Sequence, residues 1–81
     1  MMDLIDIHLG RRLRRRRRIL GLTQQQLAGA CGVRFQQIQK YECAANRMSA
    51  AVLWKLAKIL DVDVRYFFAV CLVDSFFIRA V

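Results

Sequence analysis

The 81-residue chain carries a formal net charge of +8 with a pI near 10.5, and 57 % of its residues are hydrophobic. That length holds one compact domain with a small core and excludes a multidomain enzyme. So basic a domain is drawn to phosphates, chiefly through counterion release, which makes nucleic acid the partner to expect.

The N-terminal Met-Met-Asp-Leu-Ile-Asp lacks a basic region followed by an apolar core, so no signal peptide is expected and a cytoplasmic location is. Between Leu9 and Leu20 lie Arg11, Arg12, Arg14, Arg15, Arg16, Arg17 and Arg18, interrupted only by Leu13, in a pattern that predicts a first helix. On a helix these arginines surround the circumference, so at least one turns inward, and a buried arginine requires a carboxylate partner. The others are expected to form a solvated surface that attracts DNA weakly. Taken alone, the run would also suit an RNA-binding or nuclear-localisation tract.

Residues 23 to 42 read as two short helices hinged at Gly32. Thr23 precedes the apolar Leu27, Ala28 and Cys31, and Gln26 follows it by three, which is capping-box spacing. A helix should start at Gln24 and stop near Cys31, where Gly32 can take the left-handed conformation that closes it. Val33 is expected in the turn, and Ile38 and Tyr41 face inward on the next helix, leaving Phe35, Gln36, Gln37 and Lys40 outward. That outward set suits a major groove. Glutamine pairs with adenine, lysine reaches guanine acceptors, and an aromatic ring packs on a thymine methyl. Two helices joined in this way form a helix-turn-helix.

Ser49 heads a fourth helix whose apolar stripe is Val52, Leu53, Leu56, Ala57 and Leu60, with Trp54 expected to anchor the core. Asp63 is placed to cap a last short helix carrying Val64, Phe67 and Phe68. Residues 66 to 78 are strongly apolar, yet Asp74 and Ser75 interrupt them short of the about 20 residues a membrane span needs. The composition suggests apolar surface buried between subunits.

The expected fold class is therefore all-α: a compact bundle of four or five helices with a central helix-turn-helix over residues 1–68 and an apolar C-terminal extension over 69–81. Cys31, Cys43 and Cys71 lack zinc-ligand spacing and do not make a disulfide framework. Cys31 reads as a small core residue, while Cys43 and Cys71 would be reactive if exposed. His8 stands alone and reads as a surface or packing residue. No residues suggest a cofactor, a metal or a small-molecule ligand, and no nucleophile, base and orienting group can be assembled into an active site.

The pattern Leu-Gly-Arg-Arg-Leu-Arg at residues 9–14, then Arg17, Gly21-Leu22-Thr23-Gln24, Leu27-Ala28, Gly32-Val33, Ile38, Tyr41-Glu42, Ser49, Leu56-Ala57 and Leu60-Asp61-Val62 resembles the Cro/C1-type helix-turn-helix family, also called the XRE family. The resemblance covers about residues 9 to 68. It implies a lambda repressor-like fold and a bacterial or prophage transcriptional regulator. By that resemblance Phe35, Gln36, Gln37 and Lys40 are base-reading residues. Gln24, Asn46 and Arg47 fall at phosphate-binding positions, and Arg17 and Glu42 form a structural ion pair; Thr23 and Arg34, at the heads of the two helices, are added as phosphate-binding residues on their own chemistry. Two departures stand out. Arg34 replaces the usual Ser or Thr cap, and Ala44 stands where a glycine is expected soon after Glu42, so either the loop differs or a non-glycine residue carries a left-handed turn.

In relatives the last helix or an added strand often pairs two copies, which points to dimerisation through Phe68, Val70, Leu72, Phe76 and Ile78. A two-fold dimer would set its recognition helices about 34 Å apart on double-stranded DNA. The expected function is a sequence-specific DNA-binding regulator acting as a homodimer, a repressor rather than an enzyme. The alternatives are an antitoxin-like or accessory DNA-binding protein acting through a protein partner, and a nonspecific nucleic-acid binder.

Overall fold

A computed structural model of the chain describes residues 3–69. They form four α-helices, α1 (Leu4–Ile19), α2 (Gln24–Cys31), α3 (Phe35–Glu42) and α4 (Ala50–Ile59), followed by a 3-10 helix over Val64–Phe68. There is no strand among the described residues. No helix among them is long and apolar enough to cross a membrane. Val70, Cys71, Leu72, Phe76 and Ile78 lie outside the described residues.

Helix α1 begins five residues before Leu9, because Asp3 accepts a hydrogen bond from the Ile5 N–H at 2.7 Å and supplies the missing cap. At its other end Gly21, with φ +73°, closes the helix, and the Leu22 N–H donates to the Arg17 carbonyl at 3.0 Å. Helix α2 carries the complete capping box: the Gln26 N–H donates to Thr23 Oγ1 at 3.0 Å and the Thr23 N–H to Gln26 Oε1 at 2.9 Å. Gly32 then closes it, again at φ +73°. Helix α3 has no side-chain cap from Arg34. Its C-terminus is closed by Ala44 at φ +62°, with the Ala45 N–H on the Lys40 carbonyl at 2.9 Å, so a non-glycine residue carries the left-handed turn. Ser49 caps α4 through the Val52 N–H at 3.2 Å. Asp63 caps the 3-10 helix through the Arg65 N–H at 2.9 Å.

Leu13, Leu27, Ile38, Leu56, Leu60 and Phe67 are the largest fully buried side chains, so every helix and the 3-10 segment contribute to one core. Trp54 was expected there and instead stands 57 % exposed. It follows Leu53 by one position, about 100° around the helix from the buried stripe, and packs beneath the Lys58 ammonium, 4.4 Å from its ring centroid.

Of the arginine run, Arg11, Arg14, Arg15 and Arg18 are exposed as expected, whereas Arg12 and Arg16 join Arg17 in holding the fold together. Arg12 Nε donates to the Tyr66 carbonyl at 2.9 Å, its guanidinium lies 3.8 Å from the Tyr66 ring centroid, and the Tyr66 hydroxyl donates back to the Arg12 carbonyl at 3.1 Å. Arg16 Nε donates to the Leu60 carbonyl at 2.9 Å. These bonds tie α1 to the end of α4 and to the 3-10 helix. His8 Nε2 lies 3.0 Å from the Ala69 carbonyl oxygen and extends the same seam.

Candidate nucleic-acid interface

Helices α2 and α3 meet across the Gly32 turn, and α3 is oriented by what its inner face buries. Ile38 and Tyr41 enter the core, and Glu42 is buried with them. Glu42 accepts from Arg17 Nε at 2.6 Å and Arg17 Nη2 at 3.0 Å, while Arg17 Nη1 donates to the Leu22 carbonyl at 2.8 Å. Two parallel bonds between guanidinium and carboxylate satisfy both charges where water is excluded. No buried side-chain polar atom among the described residues lacks a partner. Gly10 is the second anchor: a Cβ there would lie 2.5 Å from the Tyr41 carbonyl oxygen and 2.7 Å from that of Glu42. The bare Cα lets α1 touch the backbone of α3.

With that face fixed, Gln36, Gln39 and Lys40 are exposed on α3. Phe35 and Gln37, expected outward, are half-buried, and the Phe35 ring packs against the core. An aromatic ring next to the core gains more from apolar neighbours than from water. Gln39 was missed, although it follows Gln36 by three and precedes Lys40, which is the spacing of one helix face.

The residues expected at phosphates are differently engaged. Thr23 is exposed and its oxygen caps α2, leaving its hydroxyl proton to donate. Gln24 Nε2 donates to Glu42 Oε1 at 3.0 Å, so the head of α2 is tied to the buried ion pair. Arg34 is exposed. Asn46 is half-buried, and its N–H donates to the Lys40 carbonyl at 3.3 Å. Arg47 pairs through Nε with Asp6 Oδ2 at 3.0 Å, yet its side chain remains 75 % exposed. The free edge of its guanidinium can still meet an anion. Arg14, Gln24, Gln39, Lys40, Glu42 and Cys43 line one cleft beside α3.

Cys43 is exposed at the end of α3. Cys31 is half-buried against the core, and burial pushes its thiol above the ordinary value of 9.0 while nearby Lys55 pulls partly back. No group of three or more His, Cys, Asp or Glu placed to hold a metal occurs among the described residues.

A capped helix, a left-handed glycine turn and a second helix fixed to a small helical core define a helix-turn-helix domain. The chain belongs to the Cro/C1-type helix-turn-helix family: the family model HTH_3, described as helix-turn-helix, matches residues 13–67. Among curated proteins it is 50 % identical over 64 residues to an HTH-type transcriptional regulator of Sinorhizobium medicae, covering 79 % of this chain and 46 % of that one. It is 52 % identical over 65 residues to a transcriptional regulator in the ATPase CF(0) region of Rhodospirillum rubrum, covering 80 % of this chain and 60 % of the relative. The chain thus spans about half the length of the curated relatives it matches. Among solved structures, the restriction-modification controller protein C.AhdI from Aeromonas hydrophila matches with a TM-score of 0.74 at 32 % identity, over 76 % of this chain and 94 % of that one. The biofilm regulator SinR, solved in complex with DNA, matches with a TM-score of 0.70 at 26 % identity, over 74 % and 97 %.

Proposed function

We propose that the chain is a sequence-specific DNA-binding transcriptional regulator that reads the major groove as a homodimer, with repression its mode of action. The observation that carries this reading is the outward row Gln36, Gln39 and Lys40 on a helix whose opposite face is fixed by Ile38, Tyr41 and Glu42. Gln36 and Gln37 offer paired amide contacts and Lys40 a cation for guanine. Phe35 contributes the exposed part of its half-buried ring. Gln24 shares a cleft with Gln39 and Lys40, and Thr23, Gln24, Arg34, Asn46 and Arg47 supply phosphate contacts, joined by the dipole at the head of α2. The curated relatives are named transcriptional regulators, and SinR was solved with DNA.

Dimerisation is supported by Phe68, 54 % exposed at the end of the described residues, and by the apolar sequence that follows it. Exposed Trp54 and Val64 favour the second reading, an accessory or antitoxin-like protein that binds DNA together with a protein partner.

Selection from a random duplex library at near-physiological salt tests the main reading. A two-fold-symmetric motif that survives competition by random DNA is expected. Enrichment of no motif, with binding that vanishes as salt rises, overturns sequence-specific reading and leaves a polyanion binder. A stoichiometric small protein recovered with the chain supports the second reading.

A further inference from the structure

Arg11, Arg14, Arg15 and Arg18 have a common position on α1. At 3.6 residues per turn they fall within an arc of about 100°. All four are exposed, and together with Ile19 they line one shallow depression on the outer face of the helix. The carboxylates of the described ion pairs go to Arg17, Arg47 and Arg65, and the inward-turned Arg12 and Arg16 bind backbone carbonyls. Like charges three and four residues apart on a helix repel one another, so the stripe destabilises α1 until an anion covers it.

Arg14 belongs to two surfaces at once. It lines the outer depression, and it also lines the cleft that holds Gln24, Gln39 and Lys40. The arginine stripe therefore runs without a break into the side of the domain that carries α3. We infer that Arg11, Arg14, Arg15 and Arg18 form a second phosphate track, whose occupant is the backbone of the same DNA duplex beyond the base pairs met by α3. This rests on the DNA-binding reading above.

The geometry suits that occupant. Arg11 and Arg18 are two turns apart, about 10 Å along the axis, and one DNA strand presents a phosphate every 3.4 Å or so of duplex axis. A guanidinium can fork onto a phosphate oxygen pair, which a more strongly hydrated ammonium cannot match. Base edges are out of reach of a track that stays outside the groove, so its contribution is independent of sequence and screened by salt.

The test compares the parent, a variant combining Arg11→Gln, Arg14→Gln, Arg15→Gln and Arg18→Gln, and a second variant combining Gln24→Ala and Lys40→Ala. Each is titrated by fluorescence anisotropy with mixed-sequence duplexes of 10 and 40 base pairs across a salt series. Glutamine keeps good helix propensity, so the first variant should melt no lower than the parent. On the longer duplex its plot of log affinity against log salt should be shallower by about two to four, with a smaller change on the shorter one. The second variant should weaken both lengths alike. An unchanged slope in the arginine variant, with the second variant weakened, overturns the track and leaves the DNA-binding reading standing. Full loss in the arginine variant with none in the second overturns that reading and the shared duplex together. Capture of a second, differently labelled duplex by the bound parent overturns the placement on one duplex.

Discussion

Arg17 on α1 and Glu42 at the end of α3 meet through two hydrogen bonds of 2.6 and 3.0 Å, with their side chains 10 % and 4 % exposed. The pair also holds Leu22 through its carbonyl and Gln24 through its amide. Removing either charge strands the other in a place without water. Glu42→Ala and Arg17→Ala should each cost about 3–5 kcal/mol in urea unfolding, whereas Arg17→Met with Glu42→Leu should lose much less than the two added together. Equal unfolding midpoints for Glu42→Ala and the parent would show that the pair carries no stability.

The two helical glycines should respond to alanine with opposite sign. At Gly29, on the exposed side of α2, an added Cβ meets nothing within 4 Å, so Gly29→Ala should stabilise by about 0.5–1 kcal/mol. At Gly10 the same methyl would sit 2.5 Å from the Tyr41 carbonyl oxygen. Gly10→Ala should cost about 1–3 kcal/mol from overpacking despite the better helix propensity. Thermal melts of the two variants check the signs.

Ala44 and Asp61 close α3 and α4 with positive φ, +62° and +56°, where L-residues crowd their own carbonyls. Ala44→Gly should therefore raise stability by about 1 kcal/mol. Asp61→Gly should gain less, because aspartate tolerates this conformation better than alanine. If Ala44→Gly melts below the parent, relief of backbone strain is not the dominant effect there.

Cys31 and Cys43 should differ in reactivity. Because burial raises the Cys31 thiol above 9.0, it stays protonated where an open thiol begins to ionise. Iodoacetamide at pH 8, followed by peptide mass spectrometry, should label exposed Cys43 first. The sign for stability follows from the same shift. Above about pH 9 the unfolded chain releases this proton more readily than the folded one, so the contribution of Cys31 is intact below that pH and is lost as pH rises through the folded value. A Cys31→Ala variant should show a flatter alkaline limb.

Local chemistry explains what could be read from the chain beforehand. The Thr23 box, the Gly32 turn and the Ser49 cap each need only residues within one turn of one another, so spacing alone locates them. Long-range partners are a different matter. Nothing near Arg12 or Arg16 in sequence indicates the carbonyls of Tyr66 and Leu60, and those bonds exist only once α4 and the 3-10 helix have folded back. Trp54 and Phe35 failed in opposite directions for one reason. Each was placed by residue type, whereas its angle around the helix and the apolar neighbours there decide its burial. Gly10 carried a faint signal, a glycine among strong helix formers, which points to a close backbone approach.

Gly10 and Arg17 lie two turns apart on α1, about 10 Å, and both bear on the last residues of α3. One is a point of steric contact and the other a point of charge. A rod held at two such points has little freedom to tilt or roll. Substitutions at Gln36, Gln39 or Lys40 would then alter the chemistry of the outer face while its angle stays put. Such a domain can acquire a new binding preference through a few surface replacements, with its interior left untouched.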